Sequence, residues 1–210
     1  MESDRRTRLT PDERRAQLVA LGVAFLADNP LDQLTIEELS ARANVSRGLL
    51  FHYFGSKQGL HREVVRTARD SMLHATEPIA GLPPLDRLHD TLVRIVGFVR
   101  EHSGTFYSLV RGVASGDTEV RSVVEEARVE QAERVVAVFL ELGVPDAPLL
   151  RIALRSWVAF AEEALVESAI GTDLPSGEIV GFLERSAQGV VDALGAPDSR
   201  PPGERPAAEG

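Results

Sequence analysis

The chain has 210 residues, 43% hydrophobic and 26% charged, which is ample for a buried core and excludes global disorder. No apolar run reaches the roughly 18 residues a membrane span needs; the charged opening MESDRRTRLTPDERR predicts no secretory signal, and zero cysteines leave no disulfide or thiolate chemistry, so a cytoplasmic protein is expected. The net charge of −9 argues against nucleic acid as a partner of the whole surface, yet 10 basic and 9 acidic residues stand up to Arg66, against 13 and 23 from residue 67 onward. A near-neutral head on an acidic body leaves room for a local DNA-binding face.

In chain order, Thr10-Pro11 with Glu13 predicts an N-cap, an N1 proline and a capping box. Leu18, Leu21, Gly22, Phe25 and Leu26 then form a helical stripe that closes before Asn29-Pro30. Helical spacing recurs in Leu60/Val64/Ala68/Met72, Leu85/Leu88/Leu92/Ile95/Val99, Val120/Val124/Ala127, Leu150/Leu154/Trp157/Ala161/Leu165 and Ile179/Leu183/Ala187/Val190/Leu194. Breaks fall at 78–84, Ser103-Gly104, Ser115-Gly116-Asp117, 143–148 and 171–177. No period-2 segment bounded by hairpin turns is present, so an all-α fold of about nine helices is expected. The helices at 149–170 and 178–194 carry apolar residues on more than one face (Ile152, Ala153, Val158 and Phe160; Val180, Phe182 and Val191). Each is therefore central in the core or shared with another chain. The proline-rich stretch 196–210 lacks large apolar side chains and is expected to be disordered.

The informative stretch is TIEELSARANVSRGLLFHYFGSKQGL, residues 35–60. Thr35 predicts an N-cap with Glu38 completing a capping box, and Ile36, Leu39 and Ala43 form one apolar face. Ala43-Asn44-Val45 is a tight turn in which Asn44 suits left-handed backbone, and Ser46 caps a second short helix. The spacing fits a helix-turn-helix whose second helix enters the major groove; it also fits any pair of packed short helices. The second helix places Arg47, Gly48, Leu49, His52 and Tyr53 within two turns. Arg reads guanine bidentately, Gly permits close approach, and Tyr and His donate to phosphates. Of Phe51 and Phe54, one is expected to pack inward.

The pattern T-x3-L-x3-A-x-V-S-x-G-x-L-[aromatic]-x-Y-F-x-S-K-x-x-L resembles the N-terminal domain of the TetR (tetracycline-repressor) family over residues 10 to about 66. Two positions depart from it: Asn44 stands where Gly is usual, and Phe51 where Tyr is usual. The resemblance implies a homodimeric repressor of a palindromic double-stranded operator, released by a small-molecule effector. It implies that Thr35 and Lys57, the sole lysine, meet phosphates, that Ser46, Arg47, Gly48 and Leu49 face the major groove, and that His52 and Tyr53 make phosphate and edge contacts. It also divides the chain into an N-terminal arm (1–9, with Arg5, Arg6 and Arg8), a DNA-binding domain (10–55), a ligand-binding and dimerisation domain (56–195) and a tail (196–210).

In the body, Met72, Phe98, His102, Phe106, Tyr107, Val110, Phe139 and Trp157 are the candidate pocket wall, and such a wall suits an apolar effector. The same aromatics would serve equally as plain core. Leu154, Val158, Ala161, Leu165, Leu183, Ala187 and Val190 are the candidate dimer interface. No phosphate loop, H-E-x-x-H or G-x-S-x-G motif occurs, and the five histidines lack metal-type spacing, so no enzyme, metal or cofactor is expected. The competing reading is a helical ligand-binding or scaffolding protein without sequence-specific DNA binding.

Overall fold

The computed structural model describes residues 9–112 and 118–195, and among these it contains nine α-helices and no strand. The expected arm up to residue 8, the break at 115–117 and the tail lie outside the described residues.

Helix α1 (Pro11–Phe25) begins as its sequence dictates. Glu13 N–H donates to Thr10 Oγ1 at 3.2 Å and Thr10 N–H returns a bond to Glu13 Oε2 at 2.8 Å, which closes the capping box. Its far end is sealed by Asn29, whose Nδ2 donates to the Phe25 carbonyl at 3.1 Å. After a 3-10 turn (Leu31–Gln33) come α2 (Ile36–Ala43), α3 (Arg47–Phe54) and α4 (Lys57–Ala75). The body consists of α5 (Pro84–Glu101), α6 (Ser103–Gly112), α7 (Thr118–Glu141), α8 (Pro148–Leu165) and α9 (Ser176–Gly195). Prolines at the first position of α1, α5 and α8 mark starts where the missing N–H costs nothing.

The expected helix to residue 170 ends earlier. Val166–Ile170 is a π-helical turn, closed by Gly171 N–H to the Val166 carbonyl at 3.2 Å. Ser168 and Thr172 hydroxyls back-bond the carbonyls of Ala164 and Ser168, a competition with the regular ladder that simple periodicity does not register.

Two apolar clusters hold the molecule. The first joins Leu18, Phe25, Leu26, Leu39, Leu50, Phe54, Leu60 and Val64 of the head, and it reaches into the body at Leu109, Val120, Val123 and Val124. The second packs α5, α7, α8 and α9 around Val96, Phe139, Leu154, Trp157, Leu183 and Ala187. Helix α4 serves both: Leu60, Val64 and Ala68 sit in the first, while Met72 lies against the second. Ion pairs Arg15–Glu63 (2.9 Å), Arg62–Glu119 (2.5 Å) and Arg69–Glu126 (2.7 Å) flank α4 on its way between them. Each pair has one well-exposed partner and adds little stability, so the shared apolar packing is what binds head to body.

The expected dimer residues need correction. Leu154 and Leu183 are fully buried inside the single chain, as are Val158, Ala161, Leu165 and Ala187 to within a few per cent; Val190 packs half-buried against the same cluster. The two apolar faces seen in the sequence are real, but α5 and α7 cover the faces bearing these residues. The outward apolar side chains are Leu149, Ile152, Phe160 and Phe182, and the rings of Phe160 and Phe182 lie 5.8 Å apart.

Candidate nucleic-acid interface and body pocket

Helices α2 and α3 are local products of their caps. Thr35 Oγ1 accepts from Glu38 N–H at 3.0 Å, and Ser46 Oγ accepts from Leu49 N–H at 3.3 Å. The reciprocal half of the expected second capping box is not made, because the Glu38 carboxylate turns to Arg42 one helical turn on. Between the helices Asn44 adopts φ 50°, ψ 50°, the left-handed conformation that an Asn tolerates where a glycine would otherwise stand. Ser40 fastens the turn: its hydroxyl donates to the Val45 carbonyl at 2.6 Å, and Val45 N–H donates to the Ser40 carbonyl at 3.1 Å. Leu39, Leu50 and Phe54 then lock both helices onto α1 and α4.

This packing decides what α3 displays. Phe54 is the aromatic that packs inward, and Phe51 is half exposed. Ser46, Arg47, Gly48 and His52 are exposed, while Leu49 and Tyr53 are half-buried. A Cβ added at Gly48 would meet nothing nearer than Ser46 Oγ at 4.0 Å, so no protein contact demands glycine there. An open, exposed glycine at the helix start leaves the backbone accessible to a groove. His52 and Tyr53 meet edge-on with ring centroids 5.4 Å apart.

Two candidate contacts already have partners. Arg47 Nη1 lies 2.7 Å from Glu37 Oε1, and this bond holds the Glu37 carboxyl below the usual carboxylate range. Lys57 Nζ donates to the Asp32 carbonyl at 2.8 Å, stitching the start of α4 to the 3-10 turn. An ammonium has three donors, so two remain for a phosphate. Thr35 Oγ1 is used as an acceptor by its cap, which leaves its own O–H to donate outward. Neither Glu37 nor Asp32 was singled out from the sequence; Glu37, ten residues before Arg47, meets it only because the turn folds α2 against α3.

In the body, a pocket of about 80 Å³ lies among α4, α5, α6, α7 and α8. Of the candidate wall residues, Met72, Phe106 and Trp157 line this cavity. The other candidates do not. Phe98 and His102 stack on each other at 4.6 Å, Tyr107 is exposed, Phe139 is core, and Val110 packs half-buried beside that core. Spacing placed these residues on helices but not the direction each helix faces. The actual wall adds Thr91, Gln131, Arg134 and Glu162 to aliphatic carbon from α5, α7 and α8. Burial pushes the Glu162 carboxyl upward, opposed by Arg128 at 2.7 Å. Among the described residues, no group of three or more His, Asp or Glu could hold a metal ion, and no helix is long and apolar enough to cross a membrane.

Residues 18–64 match the family model of bacterial regulatory proteins of the tetR family, and residues 84–187 match the tetracyclin repressor-like C-terminal domain. The chain belongs to the TetR family. A tetR-family transcriptional regulator from Streptomyces coelicolor superposes with a TM-score of 0.74 at 26% identity, over 89% of this chain and 85% of that one. A TetR-like regulator from Rhodococcus sp. RHA1 shares the fold, with a TM-score of 0.69 at 22% identity over 90% of this chain and 100% of that one. The HTH-type transcriptional regulator BetI of Cronobacter sakazakii is 34% identical over 71 residues, 32% of this chain and 35% of BetI. The HTH-type transcriptional repressor KstR2 of Mycolicibacterium smegmatis is 30% identical over 80 residues, 37% of this chain and 39% of KstR2. The chain thus matches little more than a third of the length of these curated relatives. In this TetR-family chain both the head and the body carry a family sequence match.

Proposed function

We propose that the protein is a cytoplasmic homodimeric repressor that binds a palindromic operator through α3 and releases it when a small, largely apolar effector enters the body pocket. The observation that carries the reading is the outward face of α3. Ser46, Arg47, Gly48 and His52 stand exposed at and beyond a capped helix start, on a scaffold fixed from behind by Leu50 and Phe54. That arrangement supplies a base reader, an accessible backbone and phosphate donors on one side.

The pairing surface is the outward face of α8 and α9, where Leu149, Ile152, Phe160 and Phe182 leave apolar area in water. Two such helices from each protomer make a four-helix seam, which should bury well over ~1,000 Å². Effector and DNA are coupled through α4 and α6. Met72 touches the pocket from α4, whose first turn carries Lys57, and Gly104 of α6 packs directly on the Ala27 carbonyl behind α1. A ligand that tilts α4 changes the separation of the two α3 helices, and a duplex tolerates that poorly. The ligand must then bind the released form more tightly than the DNA-bound form.

Sedimentation of the purified chain, followed by titration of duplex from beside its own gene, tests the reading. A dimer that shifts a fragment containing an inverted repeat, and leaves a scrambled duplex unbound at moderate salt, is expected. A monomer, or equal affinity for both duplexes, contradicts it.

A further inference from the structure

Among the described residues, Thr91 Oγ1 is the one fully buried side-chain polar atom without a hydrogen-bond partner, and Thr91 is one of the residues lining the body pocket. Thr91 is 7% exposed and sits in the apolar stripe of α5 beside Leu88, Leu92 and Ile95. A helical Thr ordinarily bonds back to the carbonyl four residues earlier, and this one does not. An orphan hydroxyl in an apolar cavity costs free energy that a well-placed ligand group recovers.

The charged groups at the wall are spoken for. Glu162 pairs with Arg128 at 2.7 Å, and Arg87 with Glu141 at 2.6 Å. Arg134 pairs with Glu130 at 2.7 Å and donates to the carbonyls of Leu73 and Thr76. A ligand ion would therefore give up its hydration and find no free counter-charge. Trp157 offers only its ring, because its Nε1–H donates to Ser186 Oγ at 2.8 Å.

Building on the effector reading above, we propose that the pocket takes an uncharged, mainly hydrocarbon molecule of single-ring or short-chain size with one hydroxyl or carbonyl, held by a hydrogen bond to Thr91 Oγ1. The volume of about 80 Å³ sets the size, the aliphatic wall sets the polarity, and Thr91 sets the position of the single polar group.

The test titrates the full chain with phenol, toluene, benzoate and benzylammonium by calorimetry, in wild type, Thr91→Val and Thr91→Ser. Phenol should bind roughly five- to tenfold tighter than toluene, a difference of the size one hydrogen bond makes. Both ions should bind more weakly than toluene. Thr91→Val should abolish the preference for phenol while keeping toluene affinity, and Thr91→Ser should restore the preference. Thr91→Val should also unfold at a higher temperature than wild type without ligand, which confirms that the variant folds. An ion binding as tightly as phenol, a preference for phenol that survives in Thr91→Val, or no saturable binding of any probe overturns the proposal. Repeating the titration on the DNA-bound protein separates the two readings. Thr91-dependent phenol binding that leaves DNA affinity unchanged defeats the effector role and keeps the pocket chemistry. Release of DNA by an ionic probe keeps the effector role and defeats the pocket chemistry.

Discussion

Arg47 and Glu37 face each other across the turn between α2 and α3, with Nη1 2.7 Å from Oε1 and both side chains about two-thirds exposed. On the proposed reading the base-reading Arg47 is engaged by a carboxylate in the free protein, and a duplex competes with that carboxylate for it. Glu37→Gln should tighten duplex binding, by less than about tenfold because an exposed pair is weak. The sign with pH follows from the lowered Glu37 carboxyl. A depressed carboxyl keeps its pair above its unfolded value and loses it only as pH falls through the folded one, below the ordinary carboxylate range. Affinity plotted against pH for wild type and Glu37→Gln should thus run parallel between about pH 6 and 8. Converging curves there would contradict the pairing.

Arg47 and Lys57 should fail in different ways. Arg47→Ala should cost roughly 1–3 kcal/mol per half-site on the operator and much less on scrambled duplex, because base contacts carry sequence information. Lys57→Ala should weaken both duplexes alike and lower the salt slope by roughly one per subunit. Anisotropy titrations across a salt series read both quantities. Equal losses on both duplexes for Arg47→Ala would remove it as a base reader.

The proposed pairing surface separates two kinds of α8/α9 variant. Ile152→Glu and Phe182→Glu place charge on outward side chains and should give folded monomers by sedimentation. Leu183→Glu buries a charge at a position with no exposure and should leave no cooperative unfolding transition. If Phe182→Glu stays dimeric while folded, the proposed seam lies elsewhere.

Gly104 tests the link between body and head. A Cβ there would overlap the Ala27 carbonyl oxygen and stand 2.7 Å from the Leu26 carbonyl oxygen, both backbone atoms that cannot rotate aside. Gly104→Ala should destabilise by roughly 1–3 kcal/mol, seen as a lowered Tm, because overpacking forces α6 away from α1. An unchanged Tm would show that α6 and α1 slide freely.

What was legible in the sequence was what chemistry fixes over a few residues. Thr10, Thr35 and Ser46 cap their helices through hydroxyls three residues from their donors, and Asn44 takes the left-handed turn. The direction a helix faces is not local. Leu154 and Ile152 lie two residues apart on an apolar helix, and only α7 and α9 packing decides that Leu154 is core and Ile152 outward. The same ambiguity sent Phe98 and Phe139 to the expected pocket wall when neither lines it. Thr91 did leave a trace, a lone hydroxyl at the centre of the Leu88/Leu92/Ile95 stripe, readable as a polar group aimed into an apolar space. Glu37 left none, since pairing with Arg47 depends on how the turn closes.

Selection of duplexes from a random pool by the wild-type chain probes the central claim most directly. The account predicts enrichment of an inverted repeat with half-sites about one helical turn apart, whose specified bases relax in a parallel selection with Arg47→Ala. A pool that binds through all rounds without converging on any sequence would contradict it.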